Sequence, residues 1–249
     1  MYYTQEIINT IEQKFLEGKC ITEIHKELGL NRDSISKHLK KLGYNKVHNP
    51  IYQDIFEKID NEEKAYWLGF LYADGYISKN NQIEVSLQLL DINHLQKLKK
   101  FLNTNTKIST DDHRCRLLFC SKKISNDLAK LGCINNKSLI LTFPTKEQVS
   151  DEFLLPFIRG YIDGDGCISY IPPRITLAIT STKEFLEGMI NRTNWDKNLI
   201  SYYSSGKAFT LRTRKALTKI ILHSLYDNCN IYLDRKYEKF LISLADLDK

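Results

Sequence analysis

The feature that most limits the fold of this chain is an internal duplication. The segment YWLGFLYADGYISK, which starts at Tyr66, returns with substitutions as FIRGYIDGDGCISY, which starts at Phe157, 91 residues later. Two copies of a long unit indicate a pseudo-dimer within one chain, because stacked-repeat folds need three or more shorter repeats. The chain has 249 residues, which is long enough for two such halves and a further small domain.

The apolar pattern after each copy predicts the same order of elements. After the first copy, we predict a strand over 83–89, a helix over 91–102, strands near 106–109 and over 114–120, and a helix over 122–131. With the repeated segment included, each half has the order αββαββα. The predicted fold class is therefore α+β, with halves at residues 65–152 and 153–249.

An additional unit is predicted ahead of the duplication, at residues 1–46. Apolar residues at helical spacing indicate three short helices, with Gly29 in a tight turn and Asn31 as the N-cap of the third. The run over 20–44 resembles the homeodomain-like helix-turn-helix of transposases and resolvases, and a packing module without nucleic acid is the alternative. The candidate DNA-contacting side chains on the third helix are Arg32, Ser34, Lys37, His38 and Lys41. Residues 47–64 are interpreted as a linker.

Small residues recur four apart in each repeated helix, at Gly69 and Ala73 and at Gly160 and Gly164. Residues at this spacing share one helix face, so we expect the two helices to pack closely against each other there. An interior glycine costs a helix up to ~1 kcal/mol relative to alanine, which calls for such a packing reason.

Each repeated helix ends in Asp-Gly, at Asp74 and at Asp165. An acid at a helix C-terminus opposes the helix macrodipole, and parallel packing would bring both carboxylates to one end of the interface. Carboxylate and carbonyl oxygens are the ligands that Mg²⁺ prefers, so this pattern favours a site for Mg²⁺ (or Mn²⁺) and two-metal hydrolysis of a phosphodiester.

The nonamers WLGFLYADG and IRGYIDGDG, ending at Gly75 and Gly166, resemble the motif of the LAGLIDADG homing endonucleases. The resemblance covers the chain from Ala65 onward and implies two αββαββα halves whose antiparallel sheets lie on DNA. It also implies that Asp74 and Asp165 are the catalytic acids and metal ligands. The backbone carbonyls of Ala73 and Gly164 are further implied ligands. Asp163, whose counterpart is Tyr72, is given no metal role.

The resemblance further implies a basic residue late in each half, near the scissile phosphates. The candidates are Lys137 and Lys236. A cation there could steady the attacking water or offset charge on the phosphate.

Alternation of apolar and polar residues predicts that one face of each sheet is exposed. A two-stranded ribbon fits the major groove, where polar side chains read bases and basic ones contact phosphates. The candidate DNA-binding residues on the strands are Ser86, Gln88, Arg114, Arg116, Arg174, Thr176, Thr180, Lys207, Arg212 and Arg214.

Charge agrees with a polyanionic partner. The formal net charge is +6, and stretches such as 112–127 and 196–227 hold several basic residues with acids only at their ends. No apolar run approaches the length of a membrane span, and no signal segment is visible, so we expect a cytoplasmic, nucleic-acid-associated protein without a membrane partner. The six cysteines lack metal-site spacing and receive no role.

The sequence therefore predicts a monomeric, site-specific endonuclease that cleaves double-stranded DNA at a long asymmetric target. Two alternatives stay open at this point. One is a DNA-binding transcriptional regulator that keeps the fold without cleavage, and the other is an intron RNA maturase on the same scaffold.

Overall fold

The computed structural model describes residues 3–17, 19–42, 51–206 and 208–245. The chain forms two compact units, one of Met1–Tyr52 with Lys97–Lys107 and one of Gln53–Gln96 with Ile108–Lys249. Among the described residues, no helix has the length and apolar character needed to cross a membrane.

The first unit contains helices α1 (Gln5–Leu16), α2 (Ile21–Leu28) and α3 (Arg32–Lys41). The Asn31 side chain caps α3 by accepting hydrogen bonds from the backbone of Asp33 and Ser34, and Gly29 has the predicted positive φ of 63°. The three helices share a core of Ile11, Phe15, Ile24, Ile35 and Leu39. The end of the predicted helix-turn-helix domain, residues 43–46, lies outside the described residues.

The second unit begins with a buried segment. Ile55, Phe56 and Ile59 are buried in the segment that we interpreted as linker, of which residues 47–50 lie outside the described residues. Helix α4 begins at Glu62, three residues before the predicted boundary. Asn61 fixes this start because its side chain accepts a hydrogen bond from the Lys64 backbone, 2.9 Å away.

The first half follows the predicted order. Its elements are α4 (Glu62–Asp74), β1 (Gly75–Ile77), β2 (Gln82–Gln88), α5 (Ile92–Phe101), β3 (Ser109–Thr110), β4 (Arg114–Cys120) and α6 (Lys122–Lys130). The strands form an antiparallel sheet in the order β1-β2-β4-β3.

The second half repeats this order. Its elements are α7 (Leu154–Asp165), β5 (Gly166–Ile171), β6 (Arg174–Ser181), α8 (Lys183–Thr193), β7 (Ile200–Ser205), β8 (Ala208–Thr213) and α9 (Lys215–Tyr226). Its antiparallel sheet has the equivalent order β5-β6-β8-β7. The α+β class with two αββαββα halves is therefore confirmed. A last helix, α10 (Asp234–Ala245), was not predicted and has no equivalent in the first half.

Candidate active site

The two repeated helices, α4 and α7, touch through their backbones. A Cβ atom at Gly69 would overlap the carbonyl oxygen of Phe157, and one at Gly160 would overlap the carbonyl oxygen of Tyr66. A Cβ atom at Gly164 would overlap the side chain of Ala73. The small residues therefore lie where no larger side chain fits.

This close packing brings the C-terminal ends of the two helices together. Asp74 is the last residue of α4 and Asp165 the last of α7. Oδ2 of Asp74 lies 3.2 Å from the position that a Cβ of Gly164 would take. Asp74 is half-buried, whereas Asp165 lies at the surface, with protein atoms around its carboxyl group that displace part of its water.

The pKa values of the two carboxyl groups reflect burial and the charges around them. Burial, and then the charge of Asp165, raise the pKa of Asp74 to about 6. Burial also raises the pKa of Asp165, and the charges of Lys137 and Lys236 act against that rise. When both acids are ionised, their negative charges lie in one partly desolvated site, and the two lysines offset those charges only in part.

Both candidate lysines bind carbonyl groups beside these acids. The Lys137 ammonium donates to the carbonyl oxygen of Gly75, directly after Asp74. The Lys236 ammonium donates to the carbonyl oxygens of Ile162 at 2.6 Å and Gly164 at 2.9 Å. Lys236 is only 3% exposed, and burial lowers its pKa to about 8, although the charge of Asp163 opposes that shift. Lys137 thus reaches the site from the segment after α6, and Lys236 reaches it from the first turn of α10.

The donor set suits Mg²⁺ or Mn²⁺ better than a metal that needs a full cage of side chains. In the part of the chain that the structure describes, no group of three or more His, Cys, Asp and Glu side chains could hold a metal ion. Mg²⁺ usually keeps several waters and binds through one or two carboxylates with substrate phosphates, which matches two adjacent, incompletely compensated acids. The Gly164 carbonyl, a predicted ligand, already accepts a hydrogen bond from Lys236, so a metal would share that oxygen.

Sequence reasoning missed a buried acid network one turn from this site. Asp163 is fully buried and accepts hydrogen bonds from the hydroxyls of Tyr66 and Tyr226, at 2.7 and 2.6 Å, and from the backbone of Leu233, at 2.7 Å. The one available signal was an acid within an apolar helix, at the position where the other copy has Tyr72. Buried acids need such partners, because an unpaired polar group in the core costs several kcal/mol, roughly 2–7.

The first sheet presents a polar face with predicted DNA-binding residues on it. Ser86 lies opposite Arg116, and Gln88 lies opposite Arg114. Nε of Arg116 is 3.1 Å from a carboxylate oxygen of Glu84, which ties this arginine to an acid on the same face. The structure therefore brings the four candidates together on one surface.

The second sheet presents the equivalent face, with Arg174, Thr176, Thr180 and Arg212 on it. Arg212 lies opposite Ala178, and its guanidinium stands over the ring of Tyr203 at 5.8 Å. Arg214 lies beyond the end of β8, where it is the N-cap residue of α9 rather than a strand residue. Lys207 lies outside the described residues.

The candidates on α3 divide into two groups. Arg32, Lys37 and Lys41 are exposed. Ser34 belongs to the helix start, where its backbone donates to Asn31. The His38 ring meets the Tyr3 ring edge-to-face at 5.8 Å, and its Nε2 is buried, so His38 packs within the helical unit rather than projecting with the basic side chains.

No protein-family profile matches the chain. Among curated proteins, it is similar to a probable translation initiation factor IF-2 of Methanocaldococcus jannaschii, with 24% identity over 213 residues. It is also similar to a replication factor C small subunit of the same organism, with 26% identity over 225 residues. These alignments cover 75% and 81% of this chain but only 17% and 11% of the relatives, so the chain spans less than a fifth of their length.

Solved structures similar to this chain include LAGLIDADG proteins and WhiA. The homing endonuclease I-GzeII in complex with its DNA target has a TM-score of 0.48 and 15% identity, and the match covers 75% of this chain and 89% of that one. Full-length DUF199/WhiA from Thermatoga maritima has a TM-score of 0.49 and 16% identity, over 78% of this chain and 66% of that one. The meganuclease I-AabMI bound to uncleaved DNA has a TM-score of 0.48 and 13% identity, over 76% and 91%. At such identities the similarity is one of fold alone.

Proposed function

We propose that this chain is a monomeric, site-specific endonuclease that hydrolyses both strands of double-stranded DNA with Mg²⁺ or Mn²⁺. The observation that carries the proposal is the meeting of Asp74 and Asp165 at the ends of two backbone-packed helices, with Lys137 and Lys236 beside them. Two equivalent acids from two equivalent halves match a substrate with two antiparallel strands.

Each residue of the site has a distinct role in this proposal. Asp74 and Asp165 would hold the metal through their carboxylate oxygens, with the carbonyls of Ala73 and Gly164 as further ligands. A metal held there would polarise a water and neutralise charge on the phosphate. Lys137 and Lys236 place fixed positive charge where the transition state of phosphodiester hydrolysis becomes more negative.

The polar sheet faces bind the target in the same proposal. The side chains of Ser86, Gln88, Thr176 and Thr180 can read base edges, while arginines take guanine edges or phosphates. The basic side chains of α3 bind duplex outside the cleavage site. Because the two faces carry different residues, the target is long and asymmetric.

The test begins with selection of bound sequences from a randomised duplex library in Ca²⁺, followed by cleavage of the selected duplex in Mg²⁺. We expect double-strand cleavage by the unaltered chain. The variants Asp74→Asn and Asp165→Asn should each lose double-strand cleavage while binding within about tenfold of the parent, because an isosteric amide removes only the ligand charge. Asp227→Asn is the matched control, since Asp227 also follows the last turn of a helix but is exposed and pairs with His223.

Two outcomes would contradict this proposal, and each would support a different function. A chain that binds the selected duplex but never cuts it in Mg²⁺ or Mn²⁺ would be a DNA-binding regulator. A chain that selects no duplex but promotes intron splicing, with Asp74→Asn as active as the parent, would be a maturase.

A further inference from the structure

Positions 72 and 163 are equivalent in the two copies, 91 residues apart, yet they carry a tyrosine and an aspartate. Both side chains are almost completely buried, at 1% and 0% exposure. Neither forms part of the candidate active site. Each, however, hydrogen-bonds to the segment that leaves the last repeated helix of its own half, and that segment leads to a lysine of the site.

In the first half, Tyr72 binds the end of α6. Its hydroxyl donates to the carbonyl oxygen of Leu131. The next residue is Gly132, whose φ is +95° and where a Cβ atom would overlap the Tyr72 hydroxyl. The chain then runs five residues to Lys137, whose ammonium binds Gly75. Tyr72 thus fixes the base of the loop that carries this lysine.

In the second half, Asp163 binds both ends of the corresponding segment. Helix α9 has 12 residues against 9 in α6 and ends at Tyr226, whose hydroxyl donates to Asp163 at 2.6 Å. The backbone of Leu233 donates to the same carboxylate at 2.7 Å. Leu233 in turn accepts the backbone hydrogen bond of Lys236, at 3.0 Å, at the start of α10.

Further contacts hold this second segment to α7. Arg159 donates to the carbonyl oxygens of Leu225 at 2.7 Å and Ile231 at 2.9 Å, and it also pairs with Glu62. The Asp163 carboxylate, in contrast, binds the backbone of Leu233, the residue that begins the turn into Lys236. The segment that carries Lys236 is therefore bound to a charged acceptor through two of its own donors, whereas the segment that carries Lys137 is bound to Tyr72 by one neutral hydrogen bond.

We propose that Tyr72 and Asp163 are positioning residues that perform the same task by different chemistry. Tyr72 places Lys137 at the Gly75 carbonyl, and Asp163 places Lys236 at the carbonyls of Ile162 and Gly164. The placement itself is independent of what the site does. Its consequence for DNA rests on the proposed endonuclease function: each residue controls the reaction at one centre, so its loss slows cleavage of one strand.

The first experiment measures lysine reactivity and needs neither DNA nor metal. The full chain is acetylated with a water-soluble N-hydroxysuccinimide acetate, and the rate at each lysine is read by peptide mass spectrometry. Tyr226→Phe keeps the Asp163 charge, which also raises the Lys236 pKa, and it should raise the rate at Lys236 and leave Lys137 unchanged, because a local opening exposes only the released segment. Asp163→Asn should raise the rate at Lys236 further, at least about tenfold, because it also removes that charge. Tyr72→Phe should raise the rate at Lys137 and leave Lys236 unchanged.

Controls separate local release from loss of the fold. The side chain of Lys64 is only 14% exposed, so a faster acetylation rate there indicates global unfolding. The side chain of Lys130 is 78% exposed, so its rate gives the reactivity of an accessible lysine with the reagent. If Asp163→Asn does not fold, Tyr226→Phe removes one of the three donors and should raise only the rate at Lys236, by a smaller factor. Equal changes at Lys137 and Lys236 in the folded variants, or no change at either, would overturn the positioning role.

The second experiment reads strand preference on a duplex with each strand labelled separately. Asp163→Asn and Tyr72→Phe should both accumulate nicked product, with nicks on opposite strands, whereas simple destabilisation would slow both strands equally. Asp163→Asn should nick the same strand as Lys236→Met. Selective acetylation together with an unaltered chain that cuts no DNA would sustain the positioning role and refute the endonuclease. Nicks on the same strand in both variants would refute the assignment of each residue to one centre.

Discussion

Gly69 and Gly160 determine how close the two central helices can come. Each faces a backbone carbonyl of the opposite helix, so the space that a methyl group would need is already filled by main-chain atoms. A flexible side chain could move aside, but a helix backbone cannot move without disturbing the whole interface. The position of Asp74 next to Gly164 depends on this same close approach.

Gly69→Ala and Gly160→Ala should therefore lower the free energy of unfolding by at least about 2 kcal/mol each, through overpacking. In an ordinary helix interior the same change would add up to ~1 kcal/mol of stability. The sign of the change in unfolding free energy therefore distinguishes overpacking from helix propensity. Chemical denaturation with fluorescence detection measures the free energy of unfolding of each variant. Ala216→Ser, at an exposed position of α9, adds one heavy atom without overlap and should change stability little. A stabilised Gly160→Ala would contradict the packing described above.

Asp127 should make the free energy of unfolding depend on pH. It is buried, which raises its pKa, but hydrogen bonds from Lys123 at 2.8 Å and Lys130 at 3.3 Å outweigh that effect and leave the pKa lowered. A lowered carboxyl pKa contributes stability that is present above the unfolded-state value and is lost as the pH falls through the folded-state value.

Asp127→Asn should thus cost about 1.5–3 kcal/mol of unfolding free energy at pH 7, the value of a hydrogen bond to a charged group. The difference from the parent should shrink below pH ~4, the ordinary value for aspartate. Urea titrations between pH 7 and pH 3 test this. Asp112→Asn, at an exposed loop position, serves as the control. A difference that stays constant with pH would rule out the ionic contribution.

At the scale of elements, local patterns predicted most of what the structure contains. Strand β4 and helix α9 have the predicted bounds, because alternation in one and helical spacing in the other are complete over their whole length. Helix α10 escaped prediction, although it carries Lys236. Its start depends on Leu233 and on the distant carboxylate of Asp163, and no local spacing encodes a contact over 70 residues. Asp74 and Asp165 could be proposed from the sequence because each ends a repeated local motif, whereas the contacts of Asp163 with Tyr226 and Leu233 have no local signal.

Helix α3 should supply salt-dependent affinity for duplex DNA. A variant with Arg32, Lys37 and Lys41 all changed to Gln should bind the selected duplex more weakly, and the slope of log affinity against log salt should fall by up to about 2.7 for three lost phosphate contacts. Fluorescence anisotropy over a salt series measures both quantities. Lys26→Gln, on the exposed side of α2, is the control. An unchanged slope would show that α3 does not bind phosphate.

At the scale of the whole molecule, the two halves share a topology but differ on their sheet faces. The first face pairs Arg116 with Glu84, and the second places Arg212 over Tyr203. An acid beside an arginine repels phosphate and favours contact with base edges, whereas an arginine over an aromatic ring keeps its outer donors free. The two ends of a bound duplex would therefore meet different chemistry.

Arg116→Ala and Arg212→Ala should relax sequence preference at opposite ends of the target. Each variant is taken through selection from a randomised duplex library in Ca²⁺, and base frequencies are compared with those of the parent. A lost bidentate contact costs about 1–3 kcal/mol of discrimination at its base pair. Lys183→Ala, on an exposed part of α8, should leave the profile unchanged. Relaxation at the same positions in both variants would mean that the sheets do not read separate ends.

The backbone contact between α4 and α7 has a consequence for how such a protein can evolve. The closest part of the seam is made of main-chain atoms, so it places the same demand, small residues, on both halves. Specific matching of the halves comes from polar side chains beside it: Tyr66 donates to Asp163, Glu62 pairs with Arg159, and Asp91 pairs with Arg235. Exchange of one half between related proteins would therefore require its glycines together with its members of these three pairs.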